Sequence, residues 1–299
     1  MEIIKPGTHI PFTRYRKVAV VFSTVVNLAI LVFFLVRGPQ LGVDFGGGTL
    51  VHLKFQQRVS IPEIRRTLSR LDVGESVIQD FGQDGSNEFL IRLEKSPVQL
   101  GTLAEKIRQG LSQTFGPKGF EVRRVESVGP KVGADLRQRG IWSVIASTIM
   151  MGIYVAFRFE FRFGVGAVIA LIHDVLVTVG ALMLAQYEFD LTIIAALLTI
   201  VGFSVNDTVV VCDRIRENMR KSPREKLEPV INRSINETLS RTILTTGTAL
   251  MVLFALFFLG GAVIRPFAFS LLVGFTSGVY STIFIAAPVI LFWEKGKKS

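Results

Sequence analysis

The sequence predicts an α-helical membrane protein with six spans and one α+β domain set between the first two. Three observations predict it. There are six long apolar runs, a polar stretch after the first of them, and basic residues gathered on one side of the path the runs imply. Of the 299 residues 49% are apolar. A helix needs roughly 20 consecutive apolar residues to cross a bilayer core. A soluble chain of this size needs no such run, and six separated mainly by short turns exclude a soluble helical core.

The runs divide the chain in order. A tail (1–17) leads into span 1 (18–36). The polar domain (37–140) follows, then span 2 (141–159), span 3 (163–185) and span 4 (191–212). An amphipathic segment (213–240) separates span 4 from span 5 (241–259). Span 6 (267–292) and a short tail (293–299) close the chain. The first run is too long for the apolar stretch of a signal peptide, and no small-residue cleavage site follows it. Segment 213–240 mixes charges with Ile215, Leu227, Ile231, Ile235 and Leu239. It is expected along the inner membrane face, broken into shorter helices at Pro223 and Pro229.

The formal net charge is +10. Its distribution speaks for membrane topology and contact with anionic lipid rather than for nucleic acid. With the N-terminus in the cytoplasm, inside segments hold Lys5, Arg14, Arg16, Lys17, Arg158, Arg162, the basic residues between Cys212 and Arg241, and Lys295, Lys297 and Lys298. The short outside turns hold only Arg265, beside the acidic Glu188 and Asp190. Both termini are therefore expected in the cytoplasm. Arg137 and Arg139 run against the trend, but they end a long loop, where the rule is weak. The single cysteine, Cys212, excludes a disulfide framework and a cysteine-rich metal site. No metal ion or cofactor is expected.

Within the polar domain the pattern reads strand (50–55), helix (61–71), strand (76–81), strand (87–94), helix (98–115), strand (120–128), with a turn at 82–85. This βαββαβ order is that of a ferredoxin-like split βαβ unit, here outside the membrane, in the periplasm. It holds no nucleophile with a base, so binding or coupling is a better reading than catalysis. At its start stands "LGVDFGGGTLVHL". A phosphate loop is excluded, because a strand rather than a helix follows the glycines. Two readings stay open for Asp44, Gly46, Gly47, Gly48 and Thr49: a tight turn into the domain, or a moving hinge.

Five stretches carry a family resemblance: "GVDFGGGT", "VGPKVGADLRQRG" before span 2, "ALIHDVLVTVG" in span 3, "GFSVNDTVVVCDRIRE" in span 4 and "NRSINETLSRTILTT" entering span 5. Together and in this order they resemble SecF, the smaller subunit of the SecD–SecF complex, within the RND superfamily. The resemblance covers nearly the whole chain. It implies a partner SecD with a similar six-span core, association with the SecYEG channel, and unfolded preproteins as substrate. It further implies use of the proton gradient at the bacterial inner membrane. A phenylalanine is expected of the family where Cys212 stands.

Asp207 is the chemical focus. It lies six residues before Asp213, hence about 9 Å inside span 4. A charge there is expensive and must face a partner. Arg241, entering span 5, is the expected partner, continued by Thr245 and Thr248; span 4 offers Thr199, Gly202 and Asn206 at similar spacing. The pair reads either as a static ion pair that fixes helix register or as a proton or ion site. His173 and Asp174, in mid-span 3, extend a relay or make helix contacts. Gly274 and Gly278 form a G-x-x-x-G packing face in span 6. Rival readings are a purely structural assembly subunit, a small-molecule transporter of the same superfamily, and an intramembrane aspartyl protease. The last wants a G-x-G-D pattern that is absent here.

Overall fold

The computed structural model describes residues 9–71, 76–81, 87–93 and 100–295. The expected turn at 82–85, the ends of both tails and the expected element ends at 94 and 98–99 lie outside the described residues. Six helical segments are long and apolar enough to cross a membrane. They are α1 (Arg16–Arg37, entered by a 3-10 turn at Phe12–Tyr15), α5 (Pro130–Arg158), α6 (Phe161–Leu184), α7 (Leu191–Lys221), α8 (Leu227–Leu259) and α9 (Gly261–Ser281). Alpha-9 continues through a π-helical turn, Thr282–Ala286, into α10 (Ala287–Lys295). Half or more of the membrane window is buried for α6, α7 and the α9–α10 segment, against 6% for α1 and 17% for α8. The first three form the centre of the bundle; α1 and α8 flank it with open faces.

The helices outrun their apolar cores. Alpha-5 starts at Pro130, whose fixed φ and missing N–H suit a first helical position. After the Gly129 cap, "PKVGADLRQR" is therefore helix ahead of the apolar run. Segment 213–240 does not form a separate surface helix. Alpha-7 runs on to Lys221 and α8 begins at Leu227. The apolar residues expected to meet lipid, Ile215, Leu227, Ile231, Ile235 and Leu239, instead pack together with Phe163 and Ile290. Burying that stripe in a helical hairpin removes more apolar surface from water than laying it on headgroups. Pro229 falls in the first turn of α8, where no intrahelical N–H is lost. Pro223 follows the end of α7, as expected. At this end the Asn236 amide pairs with Ile10, accepting from its N–H at 2.8 Å and donating to its carbonyl at 2.9 Å.

Between α1 and α5 stands the α+β domain. A short turn of helix, α2 (Val43–Gly46), precedes β1 (Gly48–Phe55). Then come α3 (Ile61–Ser69), β2 (Ser76–Phe81), β3 (Glu88–Leu93), α4 (Leu100–Phe115) and β4 (Phe120–Val128). The sheet order is β2-β3-β1-β4, antiparallel throughout, as the split βαβ pattern requires. Strict alternation in β1 turns Val51, Leu53 and Phe55 inward. They meet Ile64 and Leu68 of α3 and Ile107 and Leu111 of α4.

Candidate functional site

Asp207 is buried on the face of α7 turned toward α8. Thr246 of α8 donates its hydroxyl to Asp207 Oδ2 at 3.5 Å. Thr242, one turn earlier on the same buried face, also lies toward the carboxylate. Arg241 is near enough to act on Asp207 through space, but among the described residues the two form no ion pair. Arg241, Thr245 and Thr248 are exposed. Thr245 donates to the Arg241 carbonyl of its own helix at 2.6 Å. Thr199, Gly202 and Asn206 of α7 are exposed too. The expected meeting of these two stripes is not made. Successive residues point about 100° apart around a helix, so a helix that sets Thr242 and Thr246 against Asp207 turns their neighbours Arg241 and Thr245 outward.

The second buried carboxylate is held otherwise. Asp174 of α6 is fully buried. Ser277 donates to its Oδ1 at 2.7 Å, Ser204 to Oδ2 at 2.7 Å and Ser281 to Oδ2 at 2.8 Å. His173 Nδ1 lies 3.1 Å from Oδ1, placed to donate a fourth bond. One side chain thus ties α6 to α7 and α9. The His173 ring stacks on Tyr280 at 5.8 Å, and Tyr280 shares a 2.9 Å hydrogen bond with Ser23 of α1. Gly274 and Gly278 make this approach possible. A Cβ on Gly274 would stand 2.3 Å from Ile200 Cδ1, and one on Gly278 would stand 3.1 Å from Ser204 Oγ. The sequence reading missed Ser204, Ser277 and Ser281. Their signal is faint: two serines four residues apart beside the glycine pair of span 6. Thr208 and Thr282 add a buried hydroxyl pair at 3.0 Å, next to the π-helical turn.

The glycine loop joins sheet domain and bundle. Gly47 has φ +73°, and its Cβ would fall 2.9 Å from Pro130 Cα, so only glycine fits there. Gly46 lies under Arg92, and Gly48 opens β1. Thr49 is buried and shares a 3.0 Å hydrogen bond with Ser127. Asp44 reaches away from the sheet; its Oδ2 accepts from Leu191 N–H, the first residue of α7, at 3.1 Å.

Residues 108–296 match the family model described as the C-terminal part of the protein export membrane protein SecD/SecF, and residues 32–58 match the SecD/SecF GG motif. Protein translocase subunit SecF of Desulfurispirillum indicum is 45% identical over 96% of this chain and 92% of its own length. That of Vibrio alginolyticus is 42% identical over 97% and 91%. The chain belongs to the SecF family. Among solved structures it resembles SecDF of Thermus thermophilus, a translocon-associated membrane protein, with TM-score 0.83 and 33% identity. That match takes in 97% of this chain but only 39% of the SecDF chain. A super-membrane-facing form of SecDF gives TM-score 0.73. In this SecF-family chain the GG-motif match spans Asp44 to Thr49, and the C-terminal match spans Asp174, Asp207 and Arg241.

Proposed function

We propose that this chain works with a SecD subunit in the bacterial inner membrane, using the proton gradient to drive or complete Sec-dependent export of unfolded preproteins. Both termini lie in the cytoplasm and the sheet domain stands outside. The observation that carries the reading is Asp207: a carboxylate buried in a membrane span, met at 3.5 Å by the Thr246 hydroxyl with Thr242 beside it, and with a cation nearby that forms no ion pair with it among the described residues. Such a group can exchange a proton as α7 and α8 shift, because no strong bond fixes its state. One proton moving down the gradient supplies about 2.3 kcal/mol per 100 mV.

The outward stripes support a SecD partner. Arg241, Thr245 and Asn206 face the outside of this chain at membrane depth. Lipid is a poor neighbour for them, and the spans of SecD would cover them. SecYEG is the channel the pair would serve. The sheet leaves β2 and β4 as edges, where an extended preprotein could pair by strand addition without a fixed sequence. A shared-proton protease dyad has no support, since both oxygens of Asp174 are engaged by serines. The test is export into vesicles containing the full complex, with and without an ion gradient. Asp207→Asn is expected to abolish gradient stimulation; wild-type stimulation in that variant would refute the reading and favour a structural assembly role.

A further inference from the structure

Residues 40–47 do more than lead from α1 into β1. Gly42 N–H donates to the Phe189 carbonyl at 2.8 Å, and Phe189 N–H donates to the Gln40 carbonyl at 2.7 Å. These two bonds join the segment to the link between α6 and α7. The contact is close: a Cβ on Gly42 would stand 3.1 Å from Phe189 O and 3.4 Å from Asp190 Cβ. Phe45 is buried with Leu182, Ile193 and Leu197. Asp44 takes the Leu191 N–H, while Asp190 takes the Ile193 N–H at 2.8 Å. From the sheet, Arg92 of β3 reaches Glu188 on the same link at 3.4 Å. On the other side Gly133 of α5 sits under the segment, where a Cβ would be 3.2 Å from the Asp44 carbonyl.

We infer that residues 40–47 form a clasp fastening the sheet domain to the outer end of α7, the helix that carries Asp207, and that acid on that side tightens it. The geometry supplies the fastening. Acid sensitivity comes from two carboxylates, Asp44 and Asp190, at one helix start. The helix dipole welcomes one negative charge there; the second is crowded. Burial raises the pKa of Asp190, the charge of Asp44 adds to that, and the Ile193 N–H opposes it. Among the described residues, the junction also holds Glu188 on the same link and Arg92 from β3, which pair with each other. When the clasp opens, water reaches Asp190 and its pKa returns toward the ordinary value. The closed form therefore binds the proton more tightly, and closure is favoured as pH falls toward the ordinary carboxylate range.

Under the proposed function this is the acid side of the gradient, and only the physiological sense of the clasp rests on that reading. The clasp itself is tested without a gradient, so the two can fail separately. Hydrogen exchange of the full chain in lipid nanodiscs, corrected for intrinsic rates, would follow the Gly42, Phe189 and Leu191 amides from neutral pH to about 4. Their protection is expected to rise several-fold as pH falls. In Asp190→Asn it should be high and independent of pH. In Asp44→Ala it should be low at every pH while the β1 and β3 amides stay protected, which shows the domain still folded. Wild-type protection that is flat or falls with acid would overturn the acid-tightened clasp. Undiminished protection in Asp44→Ala would overturn its fastening by Asp44.

Discussion

Asp174 and Asp207 carry the same charge into the same bundle and are answered differently. Asp174 has three serine donors and His173; Asp207 has the Thr246 hydroxyl at a long 3.5 Å, with Thr242 beside it. A buried donor left without its acceptor costs about 1–3 kcal/mol. Asp174→Ala strands several donors at once and cuts the tie among three central helices. It should cost on the order of 3 kcal/mol or more, and Asp207→Ala clearly less. Thermal unfolding in detergent would compare them; equal loss would mean that the serines do not hold the carboxylate. Both aspartates were legible in the sequence because a charge stands out in an apolar run. The serines were not. Serine is unremarked among small residues in a span, and its donation across helices depends on which faces meet.

At the scale of elements, apolar length found all six long helices, but not where the helices end. Alpha-7 and α8 run on as helix beyond their apolar runs because Ile215 and the Leu227–Ile231–Ile235–Leu239 stripe bury each other. Hydropathy sees only that the segment is polar on average. The facing of α8 was equally hidden: Arg241 with Thr245 and Thr242 with Thr246 are both four residues apart, and only packing chooses between them. Close packing also predicts a contrast between glycines. Gly274→Ala drives a Cβ into Ile200 and should cost about 1–3 kcal/mol. Gly247→Ala meets nothing within 4 Å and should be neutral or stabilise by up to about 1 kcal/mol through helix propensity. In the sheet domain, Glu88 accepts from His52 at 2.9 Å and pairs with Lys54 and Arg123. Burial alone would raise its pKa, but these partners outweigh it and hold it low. A lowered folded-state pKa stabilises above the ordinary glutamate value and is lost as pH falls through the folded one. Exchange protection of β1 and β3 should therefore drop in acid below about pH 4. Glu88→Gln should flatten that drop, and an unchanged profile would remove Glu88 as its cause.

For the whole molecule, the unequal burial of the six helices bears on what surrounds them. The central helices bury much of their surface in one another, while α8 and the outward side of α7 leave Arg241, Thr245, Thr248, Thr199 and Asn206 exposed on helices apolar enough to cross a membrane. Isolated intramembrane cations are penalised by about 2.5–3.5 kcal/mol on insertion scales. The face is therefore expected to be covered when the chain is assembled, and a carboxylate or carbonyl of the partner's spans is the chemistry that would answer Arg241. In a Cys212→Ser background, single cysteines at Thr199, Asn206 and Thr248 should react with a small maleimide when this chain is alone in detergent. They should lose at least tenfold in rate once it is co-assembled with SecD. A cysteine at Lys118, exposed in the sheet domain, should react equally in both states, and from the outer side of intact cells. Uniform protection including Lys118 would signal aggregation, which size-exclusion chromatography separates from assembly. Unchanged reactivity of the stripe in a purified complex would refute the interface, and Arg241 would then need its counter-charge from Asp207 by a rotation of α8.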